Sequence, residues 1–99
     1  MKKNLTDYVK ILEALKPLLC ENFSISDIAV FGSYARGEEK PESDLDILVT
    51  YTKTPDLFDL AALNLFLEEN LKIKIDLVPD MNLRPQFARH IYEEMVKIT

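Results

Sequence analysis

Both glycines of this 99-residue chain, Gly32 and Gly37, fall within one short stretch, Phe31-Gly32-Ser33-Tyr34-Ala35-Arg36-Gly37. An apolar run, Ile28-Ala29-Val30-Phe31, leads into it, and after Gly37 and five intervening residues comes Ser43-Asp44-Leu45-Asp46. The apolar run reads as a buried strand, and a glycine at its end allows a sharp turn that residues with a Cβ resist. Backbone N–H groups in such a small-residue turn can reach a phosphate. Two Asp one residue apart on a strand project from the same face and can hold divalent cations between them. A phosphate cradle beside a carboxylate pair indicates nucleotide chemistry.

The remaining elements follow from periodicity. Leu5, Tyr8, Val9, Leu12, Leu15 and Leu19 recur at helical spacing and predict a first helix from Leu5 to about Glu21. Pro17 removes a bond to the carbonyl of Glu13, which predicts a kink or a second short helix starting there. The stretch from Ser33 to Gly37 reads as a single helical turn closed by glycine. Leu45, Ile47, Val49 and Tyr51 alternate with more polar neighbours and predict a second strand, with Leu45 and Ile47 opposite Asp44 and Asp46.

Thr54-Pro55-Asp56 reads as a helix start, with Thr54 as N-cap and Pro55 in the first helical position. That helix should run to about Asn70. Its apolar residues surround more of the circumference than one core-facing stripe needs, so part of it is expected to meet another chain. Ile73, Ile75 and Leu77 predict a third strand with a charged face carrying Lys72, Lys74 and Asp76, ended by Pro79. A last helix, about Leu83 to Ile98, is entered through Asn82 or Arg84 and Pro85, and should close the core with Phe87, Ala88, Ile91, Met95 and Val96. The fold class is α+β: a three-stranded mixed sheet packed with about four helices, forming one domain over residues 1–99.

Composition limits the function. A chain of 99 residues supports one core and no second substrate-binding domain. The formal net charge of -5 gives no footprint for a nucleic-acid backbone, so no direct nucleic-acid binding is expected. The single cysteine, Cys20, cannot pair within the chain and reads as a buried thiol. Asn4, Thr6, Asp7 and Lys10 interrupt any export signal starting at Met1-Lys2-Lys3, and no segment has membrane-spanning length, so the expected compartment is the cytoplasm.

Each candidate also has a plainer reading. Asp44 and Asp46 alone would be a solvated strand face, but beside the glycine turn a metal site is favoured. Asp76 would complete it from a neighbouring strand; its plainer role is an ion pair with Lys74. Three converging carboxylates repel unless cations neutralise them, and two Mg²⁺ ions roughly 3.5–4 Å apart are the natural solution. Arg36 is favoured as a phosphate ligand over a surface pair with Glu38 or Glu42. His90 has no ligand-forming neighbour and reads as surface or packing, and Lys72 and Lys74 as a solvated edge. The glycine spacing matches a Walker A loop, but Glu38 and Glu39 stand where that loop needs Lys and Ser or Thr, which excludes it.

Gly32-Ser33-Tyr34-Ala35-Arg36-Gly37 followed by Ser43-Asp44-Leu45-Asp46 resembles the signature of minimal nucleotidyltransferase (MNT) domains, in the DNA polymerase β-like nucleotidyltransferase superfamily. Ile75-Asp76-Leu77-Val78 resembles the strand bearing that family's third carboxylate, and the likeness spans about Leu5 to Val96. It implies a small nucleotidyltransferase fold. It implies that Gly32, Ser33 and Arg36 hold ATP phosphates and that Asp44, Asp46 and Asp76 hold two Mg²⁺ ions, with Asp76 assisting deprotonation of an acceptor hydroxyl. AMP would be transferred and pyrophosphate released. Stand-alone chains of this size resemble the antitoxin of HEPN/MNT toxin–antitoxin pairs, which implies a HEPN ribonuclease as partner and a tyrosine hydroxyl as acceptor. The competing readings are an antitoxin that acts by binding alone and a nucleotidyltransferase for a small molecule, with self-association building its pocket.

Overall fold

The computed structural model describes residues 3–99; Met1 and Lys2, the first residues of the stretch read as too interrupted for an export signal, lie outside them. Its order is α1 (Leu5–Asn22), β1 (Ile25–Phe31), α2 (Gly32–Arg36), β2 (Leu45–Tyr51), α3 (Leu57–Leu71), β3 (Ile75–Pro79), a 3₁₀ turn (Asp80–Asn82), α4 (Pro85–Glu94) and β4 (Val96–Lys97). The sheet has four strands in the order β3-β2-β1-β4. β1 is antiparallel to both β2 and β4, whereas β2 and β3 are parallel, so the sheet is mixed as expected.

One face of the sheet builds the core. Ile28 and Val30 of β1, Leu45, Ile47 and Val49 of β2 and Ile75 of β3 are buried against Tyr8, Leu12 and Leu19 of α1 and Leu63, Leu67 and Leu71 of α3. Period two in the strands and period three to four in the helices therefore meet on one apolar layer. The opposite face carries Asp46, Leu48 and Asp76, and this alternation leaves the carboxylates outside the core.

Helix α1 runs unbroken through Pro17, so no second helix starts there. Pro17 and Glu13 both lie on the exposed side of the helix, where water can serve a carbonyl deprived of its bond. Asn4 caps the helix reciprocally with Asp7, each accepting a bond at 3.0 Å from the other's backbone N–H. Cys20 is exposed rather than buried: it follows Leu19 and is rotated about 100° from the buried stripe.

Helix α3 is capped by Asp56 in a box with Asp59, not by Thr54. It ends at Leu71, one residue beyond the expected Asn70, with Lys72 in the left-handed region at φ 58°. Strand β3 accordingly starts at Ile75 rather than Ile73, and Lys72 and Lys74 lie exposed before it.

The chain's end differs most from expectation. Helix α4 stops at Glu94, because Met95 is extended and Val96–Lys97 pairs with Val30 and Ala29 of β1. Ile98 is buried, and its N–H donates to Ile28 O at 2.9 Å. Ile98, directly after the fourth strand, and not α4, thus closes the core: α4 has no buried residue, and Phe87 is 54% exposed. Among the described residues no helix is long and apolar enough to cross a membrane.

Candidate active site

The turn after β1 is built as its glycines require. Gly32 and Gly37 have φ of 75° and 72°, the left-handed region that residues with a Cβ rarely adopt. At Gly37 this conformation ends α2; its N–H donates to Tyr34 O, and Glu38 N–H donates to Ser33 O at 2.8 Å. At Gly32 the reason is also space, because a Cβ there would lie 2.8 Å from Asp46 Cγ. The glycine lets the turn press directly on the carboxylate. Tyr34 pins α2 to the core: it is buried, and its ring meets Tyr8 edge-on at 5.5 Å.

Strand register assembles the acidic groups. Asp46 lies opposite Phe31 on β1, which places it beside the glycine turn, and in register with Asp76 on the parallel neighbour β3. Glu68 of α3 accepts a bond at 3.0 Å from Ile75 N–H, tying down the residue before Asp76. Asp44 precedes β2 rather than lying within it. Its loop is clipped where Ser43 Oγ accepts from Lys40 N–H at 2.8 Å and Ser43 N–H donates to Lys40 O at 2.9 Å. With Tyr34, Ser43, Lys72 and Lys74, Asp44 lines a hollow of about 440 Å³.

The electrostatics report how closely these groups gather. The Asp46 carboxyl is pushed from 3.8 up to about 6, first by burial, then by a hydrogen bond and the charge of Asp76, then by the charge of Asp44; Arg36 opposes them. All three carboxyls therefore act on one locality. Among the described residues, no three acidic, histidine or cysteine side chains are drawn close enough to hold a metal ion as they stand. The donor set nevertheless fits Mg²⁺: its oxygens are hard carboxylates, Asp46 and Asp76 on adjacent strands and Asp44 just before β2, and Asp46 takes up a proton readily because burial and its acidic neighbours disfavour the charge.

Arg36 occupies both edges of its guanidinium with acids. Nε donates to Glu38 at 3.0 Å, the surface pair weighed against a phosphate role for it, and Nη1 donates to both oxygens of Glu94 at 3.1 and 3.2 Å. Glu94 also accepts from Gly32 N–H at 3.3 Å. Sequence reasoning missed Glu94, since no local pattern connects it to a turn 58 residues away. His90 is exposed on α4.

Comparison with known proteins decides the family, since residues 12–98 match the model of the nucleotidyltransferase domain. The chain belongs to the nucleotidyltransferase domain family. It is an enzyme of that class, with the minimal nucleotidyltransferase fold. A Methanocaldococcus jannaschii protein named provisionally as a protein adenylyltransferase is 46% identical over 76 residues, covering 77% of this chain and 88% of that one. The Thermococcus cleftensis protein adenylyltransferase MntA is 39% identical over 94 residues and 95% of each chain. Among solved structures, one described provisionally as a minimal nucleotidyltransferase superposes with a TM-score of 0.81 at 33% identity, over 95% of both chains. A chain of a toxin–antitoxin crystal structure with AMP-PNP gives a TM-score of 0.74 at 26% identity, over 90% of this chain and 72% of that one.

Proposed function

We propose that this minimal nucleotidyltransferase is an antitoxin that transfers AMP from ATP to a hydroxyl, a tyrosine's, on a HEPN ribonuclease toxin. The observation carrying this is the register that seats Asp46 beneath Gly32 and beside Asp76. Support for a protein acceptor comes from relatives named as protein adenylyltransferases and from the toxin–antitoxin neighbour with AMP-PNP.

In this reading Asp44, Asp46 and Asp76 hold Mg²⁺, which when bound neutralises phosphate charge and lowers the pKa of a coordinated hydroxyl. Gly32 N–H, Ser33 and Arg36 bind the β- and γ-phosphates and orient the α-phosphorus over the carboxylates. Asp76, exposed at the rim, receives the proton of the incoming hydroxyl. The hydroxyl oxygen bonds to the α-phosphorus as the bond to the pyrophosphate oxygen breaks, leaving an AMP ester and free pyrophosphate. Positioning and charge neutralisation supply most of the rate.

The acceptor's binding surface is assigned to α3, whose Leu57 and Phe58 are 81% and 85% exposed at its first turn. Incubating the partner ribonuclease with this chain, ATP and Mg²⁺ and weighing it intact tests the proposal. Mass increments of one AMP each are expected, located on tyrosine by fragmentation; a partner of unchanged mass rejects the transfer.

A further inference from the structure

Glu94 ends α4, yet its carboxylate rests on the glycine turn. Its Oε1 accepts from Gly32 N–H at 3.3 Å, and both of its oxygens accept from Arg36 Nη1 at 3.2 and 3.1 Å. The side chain is only 23% exposed. A carboxylate seated on a backbone N–H and a guanidinium edge makes the contacts that two phosphate oxygens make with the same donors. Gly32 and Arg36 are also the groups assigned above to ATP phosphates, and they cannot serve both anions at once.

We infer that Glu94 is an internal stand-in for phosphate, holding the cradle in the nucleotide-free protein until the triphosphate displaces it. This rests on the nucleotide-binding reading of the preceding subsection. The apparent affinity for ATP is then reduced by the fraction of molecules in which Glu94 has left the donors. Displacement is mechanically cheap. Glu94 needs to rotate about its own side-chain bonds, and α4 buries no residue that would resist a small shift of its last turn. β4, anchored on β1 two residues later, stays in place. Nucleotide binding is thereby coupled to the end of α4, which is released when the phosphates arrive.

The alternative role for Glu94 is to orient Arg36 for the phosphates, and the two roles predict opposite signs. Isothermal titration of the full chain with Mg²⁺-ATP, and separately with Mg²⁺-pyrophosphate, separates them. Glu94→Gln keeps the size and one acceptor but removes the charge, and is expected to bind both ligands about fivefold more tightly than the unmodified chain. Glu94→Asp draws the carboxylate back from Gly32 and is expected to give a smaller gain in the same direction. In an Arg36→Ala background the effect of Glu94→Gln should shrink, because one of the two shared donors is gone and only Gly32 N–H remains. Unchanged or weaker binding by Glu94→Gln, with the unmodified chain binding ATP normally, overturns the role of Glu94 alone. Absence of ATP binding by every variant overturns the nucleotide reading together with it.

Discussion

Replacing Asp46 by Asn separates what this side chain does for the reaction from what it does to the fold. Burial, Asp76 and Asp44 together raise its carboxyl from 3.8 to about 6. The native protein therefore takes up a proton there more readily than the unfolded chain does, and the cost of the charge is present above about pH 6. As pH falls from 6 towards 4 that cost disappears, so this group makes the nucleotide-free protein more stable on mild acidification. The full difference corresponds to a ceiling of about 3 kcal/mol, and because Asp46 is partly open to solvent we take half of it, about 1.5 kcal/mol. For a domain of this size that is about 8 °C in Tm. Asp46→Asn, whose amide can donate to Asp76, should thus melt about 8 °C above the unmodified chain at pH 8 with chelator present. The gap should close by pH 4 and narrow at pH 8 when Mg²⁺ is added, while nucleotidyl transfer is abolished. Scanning calorimetry at pH 8, 6 and 4 checks this. A variant less stable at pH 8, or a gap independent of pH, refutes the reasoning.

The two glycines should respond unequally to alanine. Gly32→Ala adds a collision with Asp46 to the left-handed strain and should cost about 3 kcal/mol with loss of transfer, whereas Gly37→Ala, with nothing within 4 Å, should cost about 1 kcal/mol; urea titration reads both. Phe58→Lys should leave stability within about 0.5 kcal/mol and weaken partner binding by about tenfold or more in a titration, since the ring touches water in the free chain. Asp56→Ala should cost about 1 kcal/mol in thermal melts through loss of the α3 cap. Asp44→Asn with Asp46→Asn should preserve partner binding while ending transfer; toxin neutralisation that survives this pair would favour an antitoxin acting by binding alone.

What could be read from the sequence was local in origin. The strand before Gly32, the turn to Gly37 and the alternation of β2 from Leu45 to Tyr51 follow from patterns within a few residues, as does the projection of Asp46 away from Leu45 and Ile47, although Asp44 falls just outside that strand. Asp76 was also within reach, because period two places it opposite Ile75 and Leu77, although its pairing with Asp46 needs the sheet order. The misread features involve competition or distance. Thr54 and Asp56 are both competent caps, and Asp59, three residues beyond Asp56, decides between them. Met95 and Val96 fit the helical spacing of α4, but pairing with β1 draws them into a strand. Cys20 sits in an apolar run whose linear order hides its rotation away from the core. Glu94 reaches the glycine turn only because β4 returns the chain to β1, a contact with no trace in local pattern.

The central claim is that three carboxylates and a glycine turn act together on the α-phosphorus of ATP. Its most direct test is to supply the partner ribonuclease with Mg²⁺ and ATP labelled with ³²P at either the α or the γ position, and to follow the label into protein. The account predicts incorporation from α-labelled ATP alone, lost when Asp44, Asp46 or Asp76 is changed to Asn. Incorporation from the γ position, or α-label transfer undiminished without Asp46, would contradict it.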